Sequence, residues 1–142
     1  MTSAQFTDLR LEWNEGLSVG DATIDHEHKK LIERVNDVNA ALMSEADKDE
    51  VLRLMRRLLD TATTHFANEE RLLHERGYPE VDRHHIVHER LIAEFYVAMN
   101  GFANTPFNTY WLVQGLTISH GMLEHLARED MKYRDHFFAN GG

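Results

Sequence analysis

The stretch VLRLMRRLLDTATTHFANEERL, residues 51–72, decides the fold. Its apolar side chains Val51, Leu54, Met55, Leu58 and Ala62 recur at steps of three and four, the return interval of an α-helix. The same stripe continues through His65 and Glu69 to Leu72, so a histidine and a carboxylate stand where a core wants leucine. Side chains one turn apart share a helix face. Such groups aimed into a bundle interior are strongly disfavoured unless something binds them.

The pattern repeats on both sides. Upstream, Asp21 can cap a helix running to about Ser44, with the stripe Ile24, Leu31, Ile32, Val35, Val38 and Leu42. His28 lies on that stripe, one turn after Ile24. The second helix starts near Asp47 and stops at Gly77, where Gly77-Tyr78-Pro79 is a strong break and Pro79 suits the first turn of a third helix. That helix carries Val81, His84, His88, Leu91, Phe95 and Met99 on one face and is expected to end at Gly101. Thr105-Pro106 reads as the cap and first-turn proline of a fourth helix reaching about Phe138, on which His125 and Asp130 fall. There is no alternating segment, internal repeat or low-complexity tract. The expected fold is all-α: an antiparallel up-down-up-down four-helix bundle over residues 21–142. Residues 1–20 are expected to form an irregular arm packed on it through Trp13 and Leu17.

Helix direction then brings the unusual residues to one level. His28 is early in its helix, His65 and Glu69 late in theirs, His84 and His88 early, His125 and Asp130 late. In an antiparallel bundle all of these reach the same end. A lone buried histidine is more often simply hydrogen-bonded, and surface His-x-x-x-His pairs are common. A core glutamate is not, because glutamate is almost never buried unpaired. Coincidence of face and level together points to a pair of bound metal ions.

Composition narrows the chemistry. The chain has 142 residues, enough for one domain with a real core, and no cysteine. Disulfides, thiolate zinc sites and iron–sulfur clusters are therefore excluded, leaving histidine and carboxylate as the strong metal ligands. The net charge of -9 argues against nucleic acid and against anionic membrane surfaces. No apolar stretch is long enough to span a bilayer, and Met1 to Gln5 begin no signal peptide, so the expectation is a soluble cytoplasmic protein, read as a monomer. Of ten histidines, His26, His74, His85, His120 and His136 fall off the cluster and are read as surface or packing residues.

The ordered motifs resemble the hemerythrin family in its single-domain bacterial form. The resemblance begins at Trp13 and runs through Val19-Gly20, Ile24-Asp25-His26-Glu27-His28 and His65-Phe66-Ala67-Asn68-Glu69-Glu70. It continues through Gly77-Tyr78-Pro79, His84-x-x-x-His88 and His125-Leu126-x-x-x-Asp130-x-x-Tyr133, covering nearly the whole chain. It implies two iron ions: one held by His84, His88 and His125, the other by His28 and His65. Glu69 and Asp130 would bridge both ions, with an oxo or hydroxo group as a third bridge. The second ion would then keep one position open for dioxygen or another small ligand.

Two features of the fourth helix stand out. His125 and Asp130 are five residues apart, which on a straight helix separates them by about 140°. One local widening of the helix would bring them together; two flanks of a regular helix are the alternative. Just before His125 the chain reads Gly121-Met122-Leu123-Glu124, where family members commonly carry Trp-Leu and an amide. Phe66, Gly121 and Met122 are the expected lining of the oxygen pocket, loosened by the missing indole, with Trp111 a candidate to fill the space.

The resemblance therefore implies a non-haem di-iron protein that binds dioxygen reversibly, for storage, delivery or scavenging. One alternative is an oxygen or redox sensor acting through a separate partner. Another is a di-iron peroxidase or nitric oxide-handling enzyme, for which Glu27, Glu124 and Tyr133 are the candidate acids. A zinc hydrolase lacks its His-Glu-x-x-His motif. A bundle with incidental histidines would bind no metal.

Overall fold

The computed structural model describes residues 11–104, 113, 117, 118, 120–122 and 124–141, with side chains as far as His136. The protein is an all-helical four-helix bundle, and no strand occurs among the described residues. Helix α1 spans Ala22–Met43, α2 Lys48–Glu75 and α3 Val81–Ala103. The fourth helical stretch contains a π-helical turn, His125–Glu129, followed by α4, Met131–Gly141.

The helix boundaries have local causes. Asp21 caps α1 by accepting the Ile24 N–H at 3.0 Å. Both α1 and α2 end in the same double turn: Ala46 N–H reaches Ala41 O and Tyr78 N–H reaches Leu73 O, each at 2.9 Å. The residue at the bend must be left-handed. Gly77 meets this at φ 69°, whereas Glu45 does so at φ 57° against the preference of a side chain.

Two expected boundaries are corrected. Pro79 lies in the turn before α3 rather than in its first helical turn. Gly101 is inside α3, which ends two residues later under an Asn104 cap whose Nδ2 donates to Asn100 O at 2.8 Å. Continuing the helix buries Phe102 completely, which outweighs the roughly 1 kcal/mol that glycine costs in a helix interior. On α2, Leu73 rather than Leu72 is the fully buried member of its turn. The expected start of the fourth helix at Thr105-Pro106, with Trp111, Leu116 and Leu123, lies outside the described residues.

Contacts between helix ends show the antiparallel order. Arg76 after α2 approaches Asp21 before α1 at 3.5 Å. Lys48 at the start of α2 donates to Ala103 O at the end of α3 at 3.2 Å. Arg83 at the start of α3 meets Glu129 at 3.0 Å. The segment before α1 is clasped to it: Asn36 accepts the Leu11 N–H and donates to Leu11 O, both at 2.8 Å. Leu17, with Trp13 beside it, packs on Ile32 and Leu126.

The core is divided. A large apolar region runs from Leu31 and Phe66 to Leu42, Val51 and Phe102. A smaller one at the other end comprises Val19, Ile24, Leu73, Tyr78 and Tyr133. A polar layer lies between them along the chain: His28 after Ile24, His65 and Glu69 before Leu73, Asp130 before Tyr133.

Candidate metal centre

On α1, α2 and α3 helical periodicity delivers the polar residues to that layer. His28, His65, Glu69, His84, His88, His125 and Asp130 are all buried, none more than 2% exposed. They form two groups whose candidate ligand atoms lie within 4.8 Å of one another: Glu69, His84, His88, His125 and Asp130, and His28, His65, Glu69 and Asp130. Glu69 and Asp130 belong to both groups.

The π-helical turn makes this possible on the fourth helix. Asp130 N–H bonds to His125 O at 2.9 Å, five residues back. Widening the turn by one residue carries His125 and Asp130 to the same side, and their side chains approach to 2.9 Å. A regular helix with two flanks is therefore the reading that fails.

The two carboxylates divide their oxygens between the groups. Glu69 Oε1 lies 2.8 Å from His84 Nε2 and 3.0 Å from His88 Nε2. Glu69 Oε2 lies 3.2 Å from both His28 Nε2 and His65 Nε2. Asp130 Oδ1 is 2.9 Å from His84 Nε2, and Oδ2 is 3.0 Å from His28 Nε2. Every histidine turns Nε2 inward.

Hydrogen bonds alone do not satisfy this layer. His65 Nε2 and Asp130 Oδ2 are buried without a properly aligned partner among the described residues, despite their close neighbours. His88 Nε2 and His125 Nε2 face each other at 3.1 Å, and two neutral acceptor nitrogens so placed repel. Ligand atoms sharing an octahedral ion with bonds of about 2.1 Å sit roughly 3 Å apart, the spacing seen throughout. The donor set, imidazole with carboxylate, suits iron, and a two-oxygen carboxylate can span two ions. The residues present thus fit a pair of metal ions.

The layer's own field is strongly polarised. Burial disfavours the His28 cation, but the charges and hydrogen bonds of Asp130 and Glu69 prevail and raise its pKa to about 10. His84 rises likewise to about 9 against its burial, through hydrogen bonds to Asp130 and Glu69. Burial alone would raise the carboxyl groups, yet the surrounding histidines hold both Glu69 and Asp130 well below the usual carboxylate range. Tyr133 is pushed well above an ordinary phenol by burial and by the nearby Asp130 and Glu69 charges, so it keeps its proton. Its hydroxyl donates that proton to Glu69 Oε2 at 2.8 Å.

A second ring of contacts surrounds the layer. His65 Nδ1 is 2.5 Å from Glu27 Oε1, and Asn68 Nδ2 donates to Glu27 Oε2 at 3.1 Å. His88 Nδ1 is 2.6 Å from Glu70 Oε2, while His85 Nδ1 is 2.5 Å from Glu70 Oε1. Of the candidate acids, Glu27 and Tyr133 therefore touch the layer. Glu124 is half-exposed and pairs with Arg128 at 3.4 Å instead. Glu70 carried no sequence signal beyond its place beside Glu69.

Phe66 stacks on the His88 ring, centroids 3.9 Å apart, and approaches His65 and His125. Met122 is buried in the same apolar region as Phe66. Gly121 is half-buried; a Cβ there would meet, among the described residues, only Leu91 Cδ2, at 3.7 Å. It borders a cavity of about 30 Å3, room for one water, and an open groove of about 530 Å3 that reaches His125.

Comparison with known proteins agrees with the motif reading. The family described as the hemerythrin HHE cation binding domain matches residues 19–136. A bacteriohemerythrin of Stenotrophomonas maltophilia is 27% identical over 128 residues, covering 88% of this chain and 80% of its own. One from Pseudomonas aeruginosa has the same identity and coverage. A bacteriohemerythrin of Campylobacter jejuni is 27% identical over 126 residues, covering 86% of this chain and 92% of its own.

Proposed function

The chain belongs to the hemerythrin HHE family, and on that premise we propose that it holds two iron ions in the buried polar layer and binds dioxygen reversibly. His84, His88 and His125 hold one ion and His28 and His65 the other. Glu69 and Asp130 would help to hold both. The observation that carries this reading is the division of both carboxylates between the two groups of histidines.

When bound, the ions would supply the electrons and the binding position for dioxygen. The protein's residues do the rest. Five neutral imidazoles and two carboxylates give a histidine-rich set, poorer in charge than the four-carboxylate sets of di-iron oxygenases. Such a set suits reversible binding rather than attack on a substrate. Phe66 and Met122 keep water from the layer on the side of the large apolar region. Tyr133 holds a proton at Glu69 Oε2. Gly121 leaves the flank beside His125 less filled than an indole would.

No described helix is long and apolar enough to cross a membrane. A cytoplasmic role in oxygen storage, delivery or scavenging is part of the same proposal.

Metal analysis combined with absorption spectra tests it. Iron at about two per chain is expected, with a visible band that develops under dioxygen and vanishes when the gas is removed. Purified protein that takes up no iron, or a band that never reverses, would overturn the reading.

A further inference from the structure

Outside the inner layer, Glu27 and Glu70 repeat one arrangement. Each places a carboxylate oxygen against the Nδ1 of an inner histidine: Glu27 against His65 at 2.5 Å, Glu70 against His88 at 2.6 Å. A carboxylate can only accept, so in a neutral ring Nδ1 carries the proton and Nε2 presents its lone pair inward. The second oxygen of each carboxylate is also engaged. Asn68 holds Glu27 and His85 holds Glu70.

The arrangement is selective. His65 and His88 belong to different groups, so each proposed half-site has one histidine braced in this way. By contrast, Nδ1 of His28 and of His125 has no hydrogen-bond partner among the described residues. A short bond from Nδ1–H to a carboxylate shifts electron density toward Nε2 and makes the ring a stronger donor.

We propose that Glu27 and Glu70 are positioning residues of the centre, each locking one histidine per half-site with its lone pair inward and adding negative charge that favours ferric over ferrous iron. This rests on the di-iron reading. It means that four carboxylates act on the ions, two directly and two through imidazole. The centre is then oxidised more readily than its inner residues alone would suggest.

Glu27→Gln and Glu70→Gln keep the size and one acceptor oxygen but remove the charge. Each should raise the midpoint potential of the iron pair and slow its oxidation in air several-fold. Glu27→Ala and Glu70→Ala should weaken metal binding about 10- to 100-fold. Glu75→Gln removes an equal formal charge from the same helix as Glu70 without touching an inner histidine or its carboxylate, and should leave the potential unmoved. A second readout needs no redox chemistry. In zinc-loaded protein, the Nδ1–H protons of His65 and His88 should resonate far downfield, and each should lose that shift only in its own Gln variant. Native protein without iron overturns the di-iron reading before any variant is made. Iron uptake with unchanged potentials and proton shifts in both Gln variants overturns this inference alone.

Discussion

His84 Nε2 lies between Glu69 Oε1 and Asp130 Oδ1, at 2.8 and 2.9 Å, with no water-exposed side. One imidazole N–H cannot satisfy two carboxylates, so the layer is over-supplied with acceptors at that point. A cation answers this demand better than a proton does. Tyr133 is the neutral exception: its hydroxyl donates one bond to Glu69 and asks for nothing in return. Tyr133→Phe should therefore cost roughly 1.5–3 kcal/mol, the worth of a hydrogen bond to a charged group, while metal content stays normal. Urea unfolding checks the first figure and metal analysis the second; lost metal with unchanged stability would show that Tyr133 acts on the ions instead. Glu70 shows why the second ring was harder to read in sequence. It follows Glu69, about 100° around the helix, and so reads as a solvated residue. Only the approach of α3 brings His85 and His88 to it.

At the scale of elements, the fourth helix makes the greatest local departure. Its π-helical turn inserts one residue so that His125 and Asp130 share a side. Deleting the exposed Ala127 should restore a regular helix in which His125 and the aspartate stand four residues apart and still share a side. Far-UV dichroism should keep its helical shape and metal content should be retained; loss of half the metal or more would contradict this account of the turn. Gly121 sits in the same helical stretch with open space around it. Gly121→Ala should stabilise the protein by about 0.5–1 kcal/mol, since glycine costs that much in a helix and the new methyl meets, among the described residues, only Leu91 at 3.7 Å. Thermal melts measure it. Most element boundaries were legible because capping and turn chemistry are local. Asp21 and Gly77 act within a few residues of themselves. Gly101 misled because the gain that carries α3 past it, the burial of Phe102, comes from other helices.

The whole molecule sets a polar layer between two apolar regions, so its stability depends on what that layer holds. In protein stripped of metal, His28 and His84 have pKa values raised to about 10 and about 9. Their contribution is complete below the ordinary histidine value of 6.5 and fades as pH rises through 9 to 10. Glu69 and Asp130 are lowered, so theirs is complete above their ordinary values of 4.5 and 3.8 and is lost in stronger acid. Stripped protein should thus be most stable between about pH 4.5 and 6.5. Metal binding needs the same histidines neutral, so loading releases protons and strengthens as pH rises. The gap in Tm between loaded and chelator-treated protein should widen from pH 6 to pH 9. A constant or shrinking gap would mean that metal and protons do not compete for these nitrogens.

What the sequence determined by itself was everything that follows from periodicity: four amphipathic stretches, their order, and the inward face on which His28, His65, Glu69, His84 and His88 fall. Helix geometry is local, so spacing along the chain suffices to place a residue on a face. The tertiary structure decided which oxygen meets which nitrogen, the widened turn before Asp130, and the roles of Glu27 and Glu70. Those depend on how whole helices pack, which brings together residues as distant along the chain as His28 and Asp130, and no pattern along a single helix contains them.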